Sequence, residues 1–304
     1  MKMAELSVAG KTFVAGEYLA LLGGPALILA TEPRFRLQVS KSGGGKNPFH
    51  PESPAGKLWN SHADFFSEYQ VRFLDPYQIG GFGASSAQFA LLHALWQIKD
   101  NVFGESERFF DWHELMQDYR EMGKTEGYAP SGADVVGACA GGLTWFDRTH
   151  GKLQTFAWPF QEMEFFVAHT GKKLATHEHL KSLPSFSAEG FQDAMTLVQQ
   201  GLTQVHFETF LEGLKAYRSL LEEKLWVTDS TLQTVRSLEQ TSGILFAKGC
   251  GAMGSDVVLA ICEKWMAKEA RQTLMRAGLQ VIADSSQVSP GLQIRNTSNQ
   301  EIQL

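Results

Sequence analysis

Cysteine is scarce in this 304-residue chain, and the scarcity is informative. Cys139, Cys250 and Cys262 are odd in number and far apart, with no C-x-x-C pair. That leaves neither a disulfide framework nor a zinc site, and a reducing, cytoplasmic setting is expected. Positive charge is also short: 27 Lys and Arg face 33 Asp and Glu, a net charge of −6. Nucleic acid is therefore not an expected partner, because its binding draws most of its affinity from a basic footprint. A local basic pocket for a small anion stays open. Long apolar runs are missing too. Residues 13–30 come nearest, but Glu17 lies inside them, Gly23-Gly24-Pro25 breaks them, and no A-x-A cleavage signal follows a short apolar core. Neither a membrane span nor a signal peptide is expected. No internal repeat or heptad run occurs.

What is present is ordinary globular material, 43% hydrophobic and 20% charged, in a chain long enough for one large or two ordinary domains. Residues 5–14 and 26–40 alternate as strands do, separated by the turn-rich GEYLALLGGP. Residues 41–57 read as a Gly/Pro/Ser/Lys loop, 58–69 as helical, and YQVRFLDP as a strand. In 84–98, Ala87, Ala90, Leu91, Ala94, Leu95 and Ile98 recur at helical spacing. Residues 111–121 predict another helix, and 130–146 a turn, a helix and the strand GLTWF. The second half reads strand (EFFVAHTG), long helical region (187–240, broken near 226–229), strand–Gly-rich turn–strand, helix and a final strand LQVIAD. This order predicts an α+β unit with its own core and a boundary near residue 160, giving units of 1–160 and 161–304.

Three phosphate-binding patterns can be tested by spacing. AGKT (9–12) and MGKT (122–125) lack the P-loop's first glycine, since Glu5 and Asp118 stand there. GGFGASS (80–86) has Ser86 where a dinucleotide fingerprint needs its third glycine. What survives is strand, glycine turn, helix: backbone that can approach an anion, unpaired helix N–H groups, and Ser85 and Ser86 hydroxyls able to cap the helix or ligate Mg²⁺. A tight turn with a serine cap explains the same residues.

Four segments together carry a resemblance. GKTFVAGEYLALLGGPALILA (10–30), GGFGASSA (80–87), PSGADVVGACAGGLTWF (130–146) and KGCGAMGSDVVLAI (248–261) follow, in order, the motifs of the GHMP kinase superfamily. The resemblance spans nearly the whole chain and falls in the mevalonate branch. It implies a two-domain α+β fold, with an N-terminal α/β nucleotide-binding domain and a C-terminal ferredoxin-like domain. It implies ATP and Mg²⁺ as cofactors. Gly81, Gly83, Ala84, Ser85 and Ser86 would wrap the ATP phosphates, with Ser85 as the metal-binding serine. Ala84 replaces the motif's first serine, and Tyr77 stands where a proline is expected, with Pro76 one place off.

Asp134 matches the catalytic aspartate and Lys11 the first-motif lysine. A carboxylate there accepts a proton or orients the acceptor, and a fixed ammonium stabilises charge on the transferred group. A helix N-cap is the plain alternative for Asp134. Glu121, thirteen residues before Asp134, and Glu126, eight before, bracket the usual spacing of the magnesium-binding glutamate; Glu121 is the candidate, with a solvated helix face as its alternative. Glu17, Tyr18, Ser131, Gly132, Gly249, Gly251 and Gly254 fall in the substrate region, although Gly249–Gly254 would also serve a simple strand connection. Met253 departs from the motif's glycine.

GEY rather than GEH, Asp134-Val135-Val136 and Asp256 lean towards phosphomevalonate as acceptor, with mevalonate second. Lys124, Lys172, Lys173 or Lys248 are candidate cations for a phosphorylated acceptor. His177 and His179 of THEHL, with no third ligand, read as a helix start. A weakened homologue acting as a nucleotide or metabolite sensor is the alternative of another class, and a decarboxylating relative is a further one. A monomer or homodimer is expected, and the 41–57 loop has the composition of a mobile lid.

Overall fold

In the computed structural model the described residues are 3–103, 110–125, 129–171, 188–241, 243–251, 254 and 256–296. A long hairpin starts the fold. Strands β1 (Met3–Ala15) and β2 (Pro25–Lys41) pair antiparallel over almost their full length, with Leu6 opposite Leu37 and Val8 opposite Phe35. Bulges at Ala9/Gly10 and Phe13/Ala15 re-aim the end of β1. The connection carries Gly16 at φ +88, where an added Cβ would lie 2.3 Å from the Pro25 carbonyl oxygen. Only glycine fits that turn.

On the far side of β2, strand β3 (Tyr69–Leu74) takes one half and β4 (Leu143–Asp147) the other. Strand β5 (Lys152–Phe156) extends β4 as a hairpin. Helices α1 (Pro54–Ser61), α2 (Ala63–Phe66), α3 (Ala84–Ile98), α4 (Trp112–Met122) and α5 (Ala133–Ala140) belong to this half of the chain. Helix α1 starts at Pro54, inside the segment expected to be loop, because Ser53 Oγ accepts the Gly56 N–H and proline suits the first helical position. Asp111 caps α4 in the same way, accepting from the His113 and Glu114 N–H groups. Helix α3 is apolar on nearly every side and buried to match, with Phe89, Leu91, Leu92 and Leu95 fully enclosed. Each such side chain stabilises the fold by roughly 1.5–3 kcal/mol.

The second sheet is built from β6 (Met163–His169), β7 (Phe246–Cys250), β8 (Val257–Glu263) and β9 (Gln280–Asp284), in the order β7-β8-β6-β9. Between β6 and β7 run α6 (Phe191–Gln204), α7 (Phe207–Glu223) and α8 (Asp229–Glu239); α9 (Ala267–Arg276) links β8 to β9. Antiparallel pairing in a β-α-β-β-α-β sequence is the ferredoxin-like arrangement expected for this half. The helical stretch 187–240 breaks near Trp226 as the sequence predicts, and also at Val205–His206.

The chain does not end at β9. Strand β10 (Gln293–Asn296), too short and polar to read as a strand, returns to pair with β1. Buried Arg34 fastens this return: Nε reaches Ser7 Oγ, Nη1 the Ser289 hydroxyl and Pro290 carbonyl, and Nη2 the Ser7 and Gly291 carbonyls. A guanidinium so fully bonded can be buried without an orphaned donor. One apolar core runs through both sheets, from Leu27 and Phe89 to Phe165 and Phe210, and a smaller one lies around α9 with Phe166, Val258 and Leu274.

The segment before α1 is tied down rather than free. Gly43 and Gly45 donate to the Glu68 and Ser67 carbonyls, and Phe49 is buried in the main core.

Candidate active site

The turn GGFGASS is held from three directions. From below, Phe82 is buried and its ring stacks on Tyr77 at 4.4 Å, while the Tyr77 hydroxyl donates to the Pro33 carbonyl at 2.7 Å. The residue that replaces the expected proline thus anchors the turn through an aromatic stack. From one side comes β1: the Lys11 N–H donates to the Phe82 carbonyl at 3.0 Å. The Lys11 side chain then passes over Gly83, where a Cβ would sit 2.8 Å from Lys11 Cε and 2.9 Å from Cγ. From the other side comes the third glycine segment: a Cβ on Gly81 would meet Asp256 Cβ at 2.7 Å and Val257 Cγ2 at 2.9 Å.

Gly83, at φ +89, is the N-cap of α3 and gives no side-chain cap. The serine-cap reading of this turn is therefore overturned, and α3 begins without a side-chain cap on its first N–H groups. That is the arrangement that binds an anion, with the positive end of the helix dipole behind it.

The two serines part company. Ser85 is exposed on the first turn of α3, whereas Ser86 is buried and donates its hydroxyl to Asp134 Oδ2. Asp134 lies in the first turn of α5, half-buried, and the Tyr119 hydroxyl donates to the same oxygen at 3.3 Å. Gly132, at φ +79, caps α5 without a side chain, and a Cβ there would lie 2.6 Å from Met116 Cγ. Asp134 is thus not the N-cap, and its carboxylate is directed at side chains of other helices. Ser131 Oγ accepts the Ala133 N–H at 3.3 Å, and Arg120 Nη1 donates to the Pro130 carbonyl at 2.6 Å, which together shape the turn into α5.

Other predicted positions fall elsewhere. Glu121 is exposed on α4, two residues after Tyr119. Residues two apart on a helix point to nearly opposite faces, so with Tyr119 turned to Asp134, Glu121 turns away from that carboxylate. Tyr18 packs inward with its ring 4.5 Å from Trp226. Glu17 reaches Lys248 instead, Oε1 to Nζ 2.6 Å, and Lys248 is almost completely buried. Burial alone would lower the Lys248 pKa, but the adjacent Glu17 carboxylate and Cys250 hold it above its ordinary value. Lys248 is therefore not a spare cation for an acceptor phosphate. Lys124 is exposed at the end of α4.

The third segment folds tightly on itself. A Cβ on Gly249 would lie 2.3 Å from the Gly254 carbonyl oxygen, which also accepts from Thr231 Oγ1. Gly251, at φ +91, faces the Asp256 carboxylate. Met253, Glu126, Lys172, Lys173, His177 and His179 lie outside the described residues.

Tyr119 was not singled out by sequence, and its signal is visible only in the phase of α4, on the face with Leu115 and Met116. Burial first, and then the charge of Asp134, hold the Tyr119 phenol well above its ordinary pKa. It remains a neutral donor.

The site therefore gathers an open helix N-terminus, a lysine laid across its glycine turn and a carboxylate bonded to its second serine. The Lys11 ammonium has no carboxylate partner among the described residues, and its Nζ lies 4.9 Å from the Phe13 ring centre. No group of three or more metal-binding side chains occurs among the described residues. Among the described residues no helix is long and apolar enough to cross a membrane.

Against solved structures, the chain superposes on Streptococcus pneumoniae phosphomevalonate kinase in complex with phosphomevalonate and AMPPNP with a TM-score of 0.76, 17% identity, and coverage of 92% of this chain and 98% of that one. Methanococcus jannaschii mevalonate kinase matches at 0.68, 14% identity, with 92% and 97% covered. Lactococcus lactis galactokinase complexed with galactose matches at 0.69, 12% identity, with 96% and 95% covered. The chain has the GHMP-kinase fold. No protein-family model matches it, and no curated protein matches it by sequence. These matches cover 92–96% of the chain, at identities where fold alone carries across.

Proposed function

We propose that the chain is an ATP-dependent small-molecule kinase. The observation that carries this reading is the convergence at one glycine turn: the uncapped N-terminus of α3, Lys11 across Gly83, and Asp134 on Ser86. An anion-binding helix end beside a free ammonium and a held carboxylate suits phosphoryl transfer, which needs positioning and charge stabilisation more than covalent chemistry. In this reading the turn binds the nucleotide phosphates and Lys11 stabilises charge on the phosphoryl group. Asp134 orients the acceptor oxygen that attacks the terminal phosphorus as ADP leaves.

Magnesium fits the donor set in a limited way. This ion commonly keeps several waters and takes one or two protein ligands beside the nucleotide phosphates. Ser85 Oγ, exposed beside the turn, is the residue we assign to hold it, where it would neutralise phosphate charge.

Phosphomevalonate is the acceptor we favour. Its support is the GEY turn, Asp134-Val135-Val136, Asp256, and the likeness to a phosphomevalonate kinase in complex with its substrate. One observation favours mevalonate as the second reading: Lys248, a candidate for an acceptor phosphate, is committed to Glu17. A coupled ADP-release assay with phosphomevalonate, mevalonate, homoserine and galactose side by side tests both. Turnover dependent on phosphomevalonate is expected. A preference for mevalonate replaces the acceptor, and no turnover with any of the four refutes both acceptor assignments and favours a nucleotide or metabolite sensor or an acceptor outside this set.

A further inference from the structure

Asp134 offers two carboxylate oxygens, and the described residues treat them differently. Oδ2 accepts from Ser86 on α3 and from Tyr119 on α4, while no described residue bonds Oδ1. Two donors from two helices, meeting at one oxygen, fix both torsions of a short side chain and so decide which oxygen faces the site.

The Tyr119 ring is itself held. It is 7% exposed and packs 5.1 Å from Phe89 of α3. One turn earlier on α4, Met116 fills the space above Gly132, so the helix is keyed to the start of α5. A tyrosine that served only to fill core would need just a partner for its hydroxyl. This one aims its hydroxyl at the carboxylate next to the phosphate turn.

We infer that Tyr119 is a positioning residue for Asp134: with Ser86 it clamps Oδ2 and leaves Oδ1 to the acceptor oxygen. The inference rests on the kinase reading, because it assigns the free oxygen to an acceptor. It adds a second helix, α4, to the machinery, and explains why the exposed Glu121 need not take part. Transfer is sensitive to ångström-scale misplacement of an orienting group.

The experiment has two arms that fail separately. In the first, steady-state kinetics compare the parent with Tyr119→Phe. The expected result is a loss in kcat of about tenfold or more, the worth of a hydrogen bond to a charged group, with the KM for ATP and for the acceptor within about twofold. In an Asp134→Ala background the same change should give no further loss in the residual rate. Equal losses in both backgrounds, or a rise in KM with kcat unchanged, overturn the positioning role. In the second arm, urea unfolding follows the same four proteins, and Tyr119→Phe should lower the midpoint in the parent but not beside Asp134→Ala. Equal lowering in both shows that the hydroxyl does not hold the carboxylate, and overturns the inference. Asp134→Leu, near-isosteric and without an acceptor, replaces the alanine variant should that fail to fold. Absence of turnover in the parent with all four acceptors overturns the assignment of Oδ1 to any of them, while the urea arm still decides the clamp.

Discussion

Glu17→Gln is expected to be among the most destabilising conservative changes in this protein. Glu17 and Lys248 are 231 residues apart in sequence and 2.6 Å apart in space, with Lys248 side chain 1% exposed and Glu17 12%. The substitution keeps shape and volume and removes only the counter-charge, leaving an ammonium buried beside the Tyr217 ring, 5.8 Å from its centre. Breaking a buried pair from one side costs about 3–5 kcal/mol, because the desolvation already incurred by the remaining charge is no longer offset. Replacing both partners by apolar groups, as in Glu17→Leu with Lys248→Met, should recover most of that loss. Urea unfolding measures the whole series through the shift in midpoint at constant slope. The pair also sets a pH dependence. Lys248 has a folded pKa raised above its ordinary 10.5, so the folded state holds this proton more tightly. Its contribution is complete below about pH 10.5 and is lost as pH rises through the higher folded value. The apolar double variant should show a shallower alkaline decline than the parent. The reasoning is refuted if Glu17→Gln unfolds within about 1 kcal/mol of the parent, a cost typical of exposed pairs.

Further outcomes are expected at four places. Asp134→Asn should cut turnover by about a hundredfold or more with ATP binding by calorimetry little changed, and Lys11→Ala should lower kcat more than ATP affinity; an equal loss of affinity in Lys11→Ala would make it a binding residue. Gly83→Ala places a Cβ at φ +89 against the Lys11 side chain, whereas Gly151→Ala, at φ +59, meets nothing within 4 Å. Both should lose about 1–2 kcal/mol of stability from left-handed strain, but only the first should lose turnover; equal activities would show that Lys11 need not lie over the turn. Burial first, then Glu164 and Glu263, push the fully enclosed Cys262 thiol from 9.0 to about 12. Its folded pKa is raised, so it contributes stability below pH 9 that is lost as pH rises towards 12. At pH 8 Cys262 should resist an aromatic disulfide reagent until guanidinium unfolds the chain, and rapid native labelling of Cys262 by peptide mapping would contradict its burial.

Much of the fold was legible because local rules and tertiary packing agree. The alternation in β1 and β2, the apolar spacing of α3 and the helical stretch 111–121 that becomes α4 each state one preference, and the structure keeps it. Strand β10 fails that test. Gln-Ile-Arg-Asn has neither the length nor the apolar alternation of a strand, and it becomes one because Arg34 fixes residues 289–291 and delivers the chain to β1. A buried arginine with five bonds is a long-range fact, and spacing along the chain carries no trace of it.

The site was legible wherever glycine was required, and illegible wherever direction was. Gly81, Gly83 and Gly132 announce close approaches, and each approach exists: to Asp256, to Lys11 and to Met116. Nothing local says which of two adjacent serines turns inward, yet one residue of helical phase, about 100°, sends Ser86 to Asp134 and Ser85 to solvent. The same phase argument removes Glu121 and brings in Tyr119, two positions away. Charge pairing across the chain is the least legible of all, since Glu17 and Lys248 each read as site residues alone and neutralise one another together. That pairing bears on specificity. With Lys248 neutralised, a doubly charged acceptor phosphate must find its cation elsewhere than on β7, whereas mevalonate, which shares the carboxylate but reacts through an uncharged hydroxyl, makes no such demand at the acceptor group. The rates with phosphomevalonate and mevalonate therefore weigh the GEY-type motif against the electrostatics of the ion pair beneath it.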